Sequence, residues 1–228
     1  HGCWGVLECE VVGVGEWVDE ARVAYDGVVE VYAGLFADRL ETRPFARAMV
    51  GAFAELVRES GNVRAADVGG GPGHLPAPLG EPRLDVFGVD LSPGPVGHAR
   101  RAHPGLRFEE GRMEALPVED GGLGGVLAHY SMIHTPPGEL PAVLAEQARA
   151  LVPGGVLLVS FFATEGRETV RFDHKVTPAY SWPVEQFAEL IAGAGLVPFA
   201  RLVHDPNSAR GFLEAHLMAR RPHSLGRP

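Results

Sequence analysis

The chain is poor in cysteine and has no excess of positive charge. Only two of its 228 residues are cysteines, Cys3 and Cys9, which is too few for a disulfide framework and gives no zinc-ligand spacing. Its histidines do not follow the H-E-x-x-H spacing of a catalytic zinc helix. The formal charge is −9, whereas a surface that follows nucleic-acid phosphates is basic. We therefore expect neither a metal site nor a nucleic-acid substrate.

Long apolar runs are also missing. No stretch reaches the roughly 20 residues that a membrane-spanning helix needs, and the first residues lack the basic and apolar segments of a secretory signal. These absences predict a cytoplasmic protein with no membrane partner. Apolar residues still make up 46% of the sequence, enough for one domain with a sizeable core. We expect residues 1–15 to be an irregular N-terminal extension and 16–228 to be a single domain.

A glycine-rich turn at residues 67–73, with the sequence DVGGGPG, is the most informative stretch. It follows a short apolar run that is typical of a strand, and Asp90 closes the next such run. Strand, glycine turn, helix, strand and acid is the pattern of a nucleotide-binding crevice. Glycines let the backbone approach a ligand, and the start of a helix offers N–H groups to an anion. A plain turn between two core elements would have a similar composition.

Strands that alternate with helices predict a parallel α/β sheet. The predicted strands cover residues 63–67, 84–90, 106–109, 123–131, 156–162, 196–204 and 212–220. The last two should pair antiparallel across a turn at 206–208. The expected fold class is therefore α/β, with a single doubly wound, mostly parallel seven-stranded sheet, an antiparallel last strand and N-terminal capping helices over 16–61. Residues 164–182 should be an irregular substrate-side insertion, and Pro76, Pro78 and Pro82 should distort the helix after the glycine turn.

The glycine spacing separates two classes of nucleotide ligand. The dinucleotide fingerprint G-x-G-x-x-G would need a third glycine where His74 stands. The pattern D-x-G-x-G-x-G instead fits Asp67, Gly69, Gly71 and Gly73. This pattern resembles motif I of the class I S-adenosylmethionine (SAM) methyltransferases.

Further stretches resemble the same superfamily, in the right order. Residues 111–117 (GRMEALP) are similar to the segment that borders adenine, and residues 149–155 (RALVPGG) are similar to the R-x-L-x-P-G-G turn before strand five. Tyr25-Asp26 with Tyr32 resembles the start of many small-molecule members. Residues 130–137 (YSMIHTPP) resemble tailoring methyltransferases of secondary metabolism.

Two departures from the family pattern stand out. Arg112 replaces an aspartate that often lies beside the adenine. Gly124-Gly125 replaces an aspartate of strand four, which should remove a polar anchor near the cofactor.

The resemblance implies SAM as the cofactor and a role for each matched residue. Asp90 would accept hydrogen bonds from both ribose hydroxyls, and Asp67 would orient the turn amides or the SAM amino group. Met113 would pack on the adenine face, because its thioether is adaptable. The other implied cofactor-binding residues are Tyr25, Gly69, Gly71, Gly73, Leu91, Glu114 and, through its backbone, His129. Structural alternatives remain: Asp90 and Ser92 as a helix cap, Met113 as a core residue, and Tyr25 and Tyr32 as helix-packing aromatics.

Residues after the fourth strand should face the methyl group, because ligands of open α/β sheets bind outside the carboxyl ends of the strands. His134 is the first candidate for a general base or acceptor-orienting group, since histidine titrates near neutrality. Tyr130 and His174 are further candidates, and Asp173 is an alternative base. His134 is equally well explained as a cap of the following proline turn. Alignment and exclusion of water can suffice for methyl transfer, because the leaving thioether is neutral.

The sequence thus predicts a SAM-dependent methyltransferase acting on a small molecule, expected to be a natural-product or antibiotic intermediate. The acceptor atom (O, N, S or C) and the oligomeric state stay open. Two alternatives compete with this prediction: an NAD(P)-dependent oxidoreductase and a non-catalytic SAM-binding protein.

Overall fold

Three helices precede an alternation of strands and helices. The computed structural model describes residues 16–36, 40, 42–75, 84–205 and 213–223. The leading helices are α1 (Glu16–Asp26), α2 (Val29–Phe36) and α3 (Pro44–Glu59). The later helices are α4 (Pro93–Ala102), α5 (Leu140–Ala150) and α6 (Val184–Gly193), with a 3-10 turn at Met132–His134. The strands are β1 (Arg64–Val68), β2 (Asp85–Asp90), β3 (Arg107–Glu110), β4 (Leu123–His129), β5 (Leu151–Ala163), β6 (Val170–Phe172), β7 (Ala179–Trp182), β8 (Val197–His204) and β9 (Leu213–Arg220).

The central sheet has the order β3-β2-β1-β4-β5, and all of these strands run parallel. Beyond β5, β9 pairs antiparallel with β5, and β8 pairs antiparallel with β9. This arrangement confirms the predicted α/β sheet with an antiparallel last strand. The described residues contain nine strands rather than seven. The two extra strands, β6 and β7, form a hairpin within the segment 164–182 that was expected to be irregular, and β7 adds to β5 over Phe162 and Ala163.

Helix α3 and the turn that follows it pack closely on β4, because two glycines of β4 leave room for them. A Cβ atom on Gly124 would lie 1.7 Å from the carbonyl oxygen of Asn62, and one on Gly125 would lie 2.4 Å from Cγ2 of Val57 and 2.7 Å from Cζ of Phe53. Both glycines are in the first half of β4, away from its carboxyl end. The expectation that they remove a polar anchor beside the cofactor is therefore wrong; they are required for helix packing.

Arg149 fastens the connection between β3 and β4 to helix α5. Its guanidinium binds the Glu146 carboxylate at 2.7 Å, the Asp120 carboxylate at 2.6 Å and the Val118 carbonyl at 2.9 Å. Glu146 also accepts the amide hydrogen of Leu116. The arginine of the R-x-L-x-P-G-G motif thus holds the chain that follows β3 in place.

Some sequence predictions lie outside the described residues. These are the N-terminal extension at 1–15, the proline-distorted helix after Leu75, and the turn at 206–208. Among the helices that the structure describes, none is long and apolar enough to span a bilayer.

Candidate functional site

A pocket lies at the carboxyl ends of β1, β2 and β4 and is covered by α1. The structure brings nearly all of the predicted site residues to its wall: Tyr25, Asp67, Gly69, Gly71, Asp90, Leu91, Met113, Glu114, His129, Tyr130 and His134. Gly73 and His174 are described but are not on this wall. The position agrees with the rule that open α/β sheets bind ligands beyond the carboxyl ends of their strands.

The glycine turn has a left-handed backbone at three positions. Gly69, Gly71 and Gly73 have φ values of 68°, 55° and 89°, a region that side chains other than glycine rarely adopt. A Cβ on Gly69 would lie 2.3 Å from Cβ of Ser131, so the turn closely approaches the chain that follows β4. Gly73 instead serves packing, because its Cβ would meet Ala99 and Phe108 at 3.0 Å.

The amides of this turn donate hydrogen bonds within the protein. Those of Gly69 and Gly70 reach the Val89 carbonyl at 2.7 and 3.4 Å, and that of Gly73 reaches the Gly70 carbonyl at 3.2 Å. The Gly71 amide donates to Oδ2 of Asp90 at 2.8 Å. The turn therefore offers a ligand close approach to bare backbone, rather than a ready set of amide donors.

Asp90 closes β2 directly beside the glycine turn. Its Oδ2 accepts the Gly71 amide, and its Oδ1 accepts the Ser92 amide at 2.9 Å. Burial raises the pKa of this carboxyl, the two amide bonds oppose the rise, and Asp26 adds to it. Each oxygen keeps a further lone pair that can accept a hydroxyl hydrogen. By accepting the Ser92 amide, Asp90 also plays part of the role that the helix-cap alternative gave it. The side chain of Ser92 makes no cap hydrogen bond.

Asp67, at the carboxyl end of β1, is almost fully buried, with 1% of its surface exposed. Burial, with a further contribution from Asp90, raises the pKa of its carboxyl to about 7. Its Oδ2 has no hydrogen-bond partner among the described residues. A Cβ on Gly70 would lie 2.5 Å from this oxygen, so only glycine leaves room for it. A buried acceptor without a partner is costly unless a ligand or water supplies a donor.

The segment after β3 forms the opposite wall and is held from behind. Nε2 of Gln147 donates to the Met113 carbonyl at 2.7 Å, and the Thr135 hydroxyl lies 3.8 Å from the Met113 sulfur. Arg112 is half exposed and pairs with Glu114 at 3.4 Å. The substitution of arginine for aspartate therefore leaves the thioether of Met113 on the wall as an apolar surface for a ring.

His134 is held by hydrogen bonds at both ring nitrogens. Nδ1 lies 2.8 Å from the Pro178 carbonyl, and Nε2 lies 2.8 Å from the Tyr25 hydroxyl. Because a carbonyl only accepts, Nδ1 carries the hydrogen and Nε2 accepts from Tyr25. Burial, with His174 nearby, lowers the pKa of His134 to about 4 against the effect of the Pro178 bond. The expectation that His134 titrates near neutrality is wrong, and the imidazole orients the Tyr25 hydroxyl instead.

Tyr130 directly follows β4 in a left-handed conformation, with φ of 55°. Such a conformation costs on the order of 1–3 kcal/mol and is concentrated at functional sites. Beside it, Nδ1 of His129 lies 2.9 Å from the Ser160 hydroxyl. His174 comes from the β6–β7 hairpin, with its ring centroid 5.2 Å from that of His134. Asp173 is exposed and accepts the Lys175 amide, so it acts as a turn residue rather than as the alternative base.

Helix α1 contributes pocket residues that the sequence prediction missed. Trp17, Val18 and Ala21 line the pocket together with Tyr25. Trp17, Ala21 and Tyr25 are spaced four residues apart and share one helix face, which was the available signal. The side chain of Tyr32 lies outside the described part of the chain. Among the described histidines, cysteines and carboxylates, no group of three could hold a metal ion.

The fold has counterparts among known proteins. Residues 65–155, from β1 into β5, match the family model of a methyltransferase domain. The solved structure of 1,6-didemethyltoxoflavin-N1-methyltransferase from Burkholderia thailandensis superimposes with a TM-score of 0.75 and 22% identity, covering 95% of this chain and 93% of that one. The chain thus has the fold of that solved methyltransferase, and residues 65–155 match a methyltransferase domain.

Two curated relatives of this chain are demethylmenaquinone methyltransferases. The enzyme from Beutenbergia cavernae is 34% identical over 101 residues, which are 44% of this chain and 41% of that protein. The enzyme from Renibacterium salmoninarum is 30% identical over 148 residues, 64% of this chain and 60% of that protein. The chain thus matches roughly half of the length of these relatives.

Proposed function

We propose that the protein transfers a methyl group from SAM to a small-molecule acceptor. The observation that carries the proposal is the buried Oδ2 of Asp67, which has no hydrogen-bond partner in the described part of the chain. It lies in the same pocket as Asp90 and the glycine turn. SAM combines an ammonium group, a ribose diol and an adenine in one ligand. Each of these groups has a chemical match on this wall.

The donor set fits SAM group by group. The ammonium would satisfy Oδ2 of Asp67 and would favour its ionised form. The spare lone pairs of Asp90 would accept the ribose hydroxyls, and Met113 would contact the adenine. Gly69 and Gly71 would let the amino-acid tail lie against the backbone. When bound, SAM supplies an electrophilic methyl group on a sulfonium.

The acceptor would enter where the chain follows β4. Trp17 and Ala21 of α1 would exclude water from the transferred methyl group, because an active site closed by apolar side chains favours displacement over side reactions. The Tyr25 hydroxyl, oriented by His134, would align a polar group of the acceptor. With a pKa of about 4, His134 is a poor base at neutral pH. This favours an acceptor that is already nucleophilic, or one that loses its proton by another route.

We further propose that the acceptor is a natural-product intermediate, methylated on O, N, S or C. The charge of −9 makes a nucleic-acid acceptor a poor match. The named acceptors of the similar proteins, demethylmenaquinone and 1,6-didemethyltoxoflavin, differ from each other. They support a small molecule without selecting one.

Calorimetric titration with SAM and S-adenosylhomocysteine (SAH) tests the proposal. Both should bind with a Kd well below about 1 mM, and Asp90→Ala should weaken SAH by about 10-fold or more through the lost charge-assisted bonds. Asp85→Ala is the matched control, since Asp85 is the exposed aspartate at the other end of β2. Absence of SAM and SAH binding at millimolar concentration would refute the function.

Two other functions predict different results. An NAD(P)-dependent oxidoreductase would bind NADH or NADPH tightly in a fluorescence titration, and His74 at the third-glycine position argues against this. A non-catalytic SAM-binding protein would bind SAH but would turn over no acceptor.

A further inference from the structure

Six aromatic rings from four segments meet where the pocket passes beyond β4. We refer to them as the ring cluster: Tyr25, Tyr130, His134, Phe162, Phe172 and His174. Three of them, Tyr25, Tyr130 and His134, line the pocket itself. The others come from the end of β5 and from the β6–β7 hairpin. The cluster therefore begins at the proposed cofactor pocket and leads towards the edge of the sheet.

The rings of the cluster contact each other by edges and tilted faces. Centroids are 5.6 Å apart for Tyr25 and His134, 5.7 Å for His174 and Phe162, and 5.3 Å for Phe162 and Tyr130, with interplanar angles of 66°, 45° and 42°. By contrast, Phe161 and Phe187 in the core stack at 4.1 Å and 11°. The described contacts within the cluster are thus edge-on or tilted rather than stacked.

Part of this ring surface can be reached by a ligand. The side chains of Tyr25, Phe162, Phe172 and His174 are each partly exposed. A planar conjugated ligand would gain about 0.5–1.5 kcal/mol for each favourable aromatic contact beyond its burial. A saturated ligand of the same size would gain only the burial.

The positions of the charged side chains on the pocket wall favour an uncharged ligand at the ring cluster. Among the described residues on the pocket wall, the charged side chains are Asp67, Asp90, Arg112 and Glu114. All four lie on the proposed cofactor side, at the carboxyl ends of β1 and β2 or after β3. The pocket-lining residues of α1 and of the chain after β4 include no lysine, arginine or carboxylate, and the charged residues 171, 173 and 175 of the hairpin are exposed. Burial keeps His134 neutral by lowering its pKa to about 4. An ionic ligand would lose its hydration there without a compensating partner.

We propose that the ring cluster is the acceptor site and that it takes a neutral, planar, conjugated ring compound. The inference rests on the proposed methyltransferase function and adds the chemical class of its acceptor. It also gives the β6–β7 hairpin a role, because Phe172 and His174 are two of the six rings.

The test compares three probes in calorimetry on SAH-saturated protein: 2-naphthol, the anion 2-naphthoate and the saturated alcohol decahydro-2-naphthol. We expect 2-naphthol to bind about 10-fold tighter than either of the others. Phe172→Leu should weaken 2-naphthol by about 3- to 10-fold while SAH affinity is unchanged. Phe199→Leu, which alters a partly exposed ring on β8 outside the cluster, is the matched control and should change neither affinity.

The outcomes separate the two proposals. Tight SAH binding with equal affinity for the three probes, or with a preference for 2-naphthoate, would overturn the acceptor class and leave the methyltransferase function standing. Absence of SAH binding would overturn the function itself. An equal loss of 2-naphthol affinity in Phe172→Leu and Phe199→Leu would remove the ring cluster as the acceptor site.

A different observation supports a second inference. His129, Ser160 and His216 are direct cross-strand neighbours on β4, β5 and β9. The Ser160 hydroxyl lies 2.9 Å from Nδ1 of His129 and 2.7 Å from Nδ1 of His216. Ser160 and His216 are fully buried, whereas His129 lines the pocket. Burial of polar groups is costly, so a buried row that ends at a pocket points to a role there.

The row continues from His216 to the edge strand β8. The rings of His216 and His204 are parallel, with centroids 5.9 Å apart. Nε2 of His204 lies 3.6 Å from the Glu214 carboxylate, which also pairs with Arg43, just before α3. The pocket wall is thereby joined to the chain segment that connects the N-terminal helices to α3.

We infer that Ser160 and His216 are positioning residues that fix the tautomer of His129 on the pocket wall. A hydroxyl has one hydrogen, so Ser160 donates to one imidazole and accepts from the other. The tautomers of His129 and His216 are therefore linked through Ser160. Which nitrogen of His129 carries the hydrogen then depends on a residue outside the pocket.

Nitrogen-15 NMR of the histidine side chains tests this inference directly. Wild-type protein should show one His129 tautomer, Ser160→Ala a mixture, and Ser160→Thr, which keeps the hydroxyl, the wild-type pattern. SAH affinity should fall by about 2- to 10-fold in Ser160→Ala, the effect of one lost hydrogen bond. Ser181→Ala, a buried serine of β7 bonded to the Val170 carbonyl, is the matched control. An unchanged His129 spectrum in Ser160→Ala would overturn the inference.

Discussion

At the scale of the residue, Asp67 couples the stability of the protein to pH. Its pKa is about 7 in the folded protein, raised from 3.8, so the native state holds a proton that the unfolded state releases. The contribution of Asp67 to the free energy of unfolding is therefore fully present below about pH 4, and it is lost as the pH rises through about 7. At pH 8 the ionised carboxylate of Asp67 should therefore lower the free energy of unfolding of the wild-type protein.

Asp67→Asn should remove this loss. The free energy of unfolding of the variant minus that of wild type should be about 1–4 kcal/mol larger at pH 8 than at pH 5, because asparagine carries no charge to desolvate. Urea unfolding at the two pH values measures the difference. Asp85→Asn, at an exposed position, should show no such change. A parallel pH dependence for Asp67→Asn and wild type would contradict the argument.

His134 should lower the free energy of unfolding at acidic pH, whereas Asp67 lowers it at alkaline pH. Its pKa is lowered from 6.5 to about 4, so the unfolded state binds a proton that the native state does not. The stability contribution is present above about pH 6.5 and is lost as the pH falls through about 4. His216, whose pKa burial also lowers to about 4, has the same sign, so the effect must be read as a difference between variants.

His134→Gln should lose less stability than wild type between pH 6.5 and 4.5, as measured by thermal or urea unfolding. Glutamine does not titrate and can still contact Tyr25. His103→Gln, at the partly exposed end of α4, serves as the control and should keep the wild-type slope. Identical slopes in His134→Gln and wild type would contradict a lowered pKa of His134 in the folded protein.

Residue identities on the pocket wall were largely predictable from the sequence, but their hydrogen bonds were not. Asp90 was placed beside the glycine turn because it ends the strand after it. The donation of the Gly71 amide to Asp90 depends on the register between β1 and β2, which no local motif encodes. The low pKa of His134 likewise depends on burial and on His174, which is distant in the sequence and belongs to the β6–β7 hairpin.

At the scale of the element, the contact between α3 and β4 sets a steric limit. Gly124→Ala should destabilise the protein by about 1–3 kcal/mol or more, because the new methyl group would collide with the Asn62 backbone. Gly51→Ala, on α3 where no atom lies within 4 Å of the new Cβ, should instead stabilise by about 0.5–1 kcal/mol. Urea denaturation of both variants checks the prediction. Similar effects at the two glycines would contradict the packing argument.

Long elements were predictable, whereas the β6–β7 hairpin was not. The apolar run of β5 and the stripe of α3 gave clear signals. Strand β6 has three residues and β7 has four, and β7 pairs with β5 over only two of them. Such short strands are stabilised by tertiary contacts, and their sequence carries too few residues to show an alternation.

At the scale of the whole molecule, α1 covers the pocket through two neighbouring residues. Tyr25 binds His134, and the carboxylate of Asp26 accepts the amide hydrogen of Gly94 at the start of α4 at 2.9 Å. A ligand that fills the pocket should add contacts to Trp17 and Ala21. The helix should therefore open less often once the ligand is bound.

Hydrogen exchange measured with and without SAH checks this expectation. Amides of α1 should exchange more slowly with SAH bound, by about 10-fold when SAH is in moderate excess over its Kd. Amides of β8, on the far edge of the sheet, provide the internal reference. Equal protection of α1 and β8 would argue against a cover function for α1.

A crystal structure of the protein with SAH would test the proposed cofactor site most directly. We predict the SAH ammonium on Oδ2 of Asp67, its ribose hydroxyls on the Asp90 carboxylate, and its sulfur facing the chain that follows β4. A nucleoside bound with its ribose away from Asp90, or SAH bound outside this pocket, would contradict it.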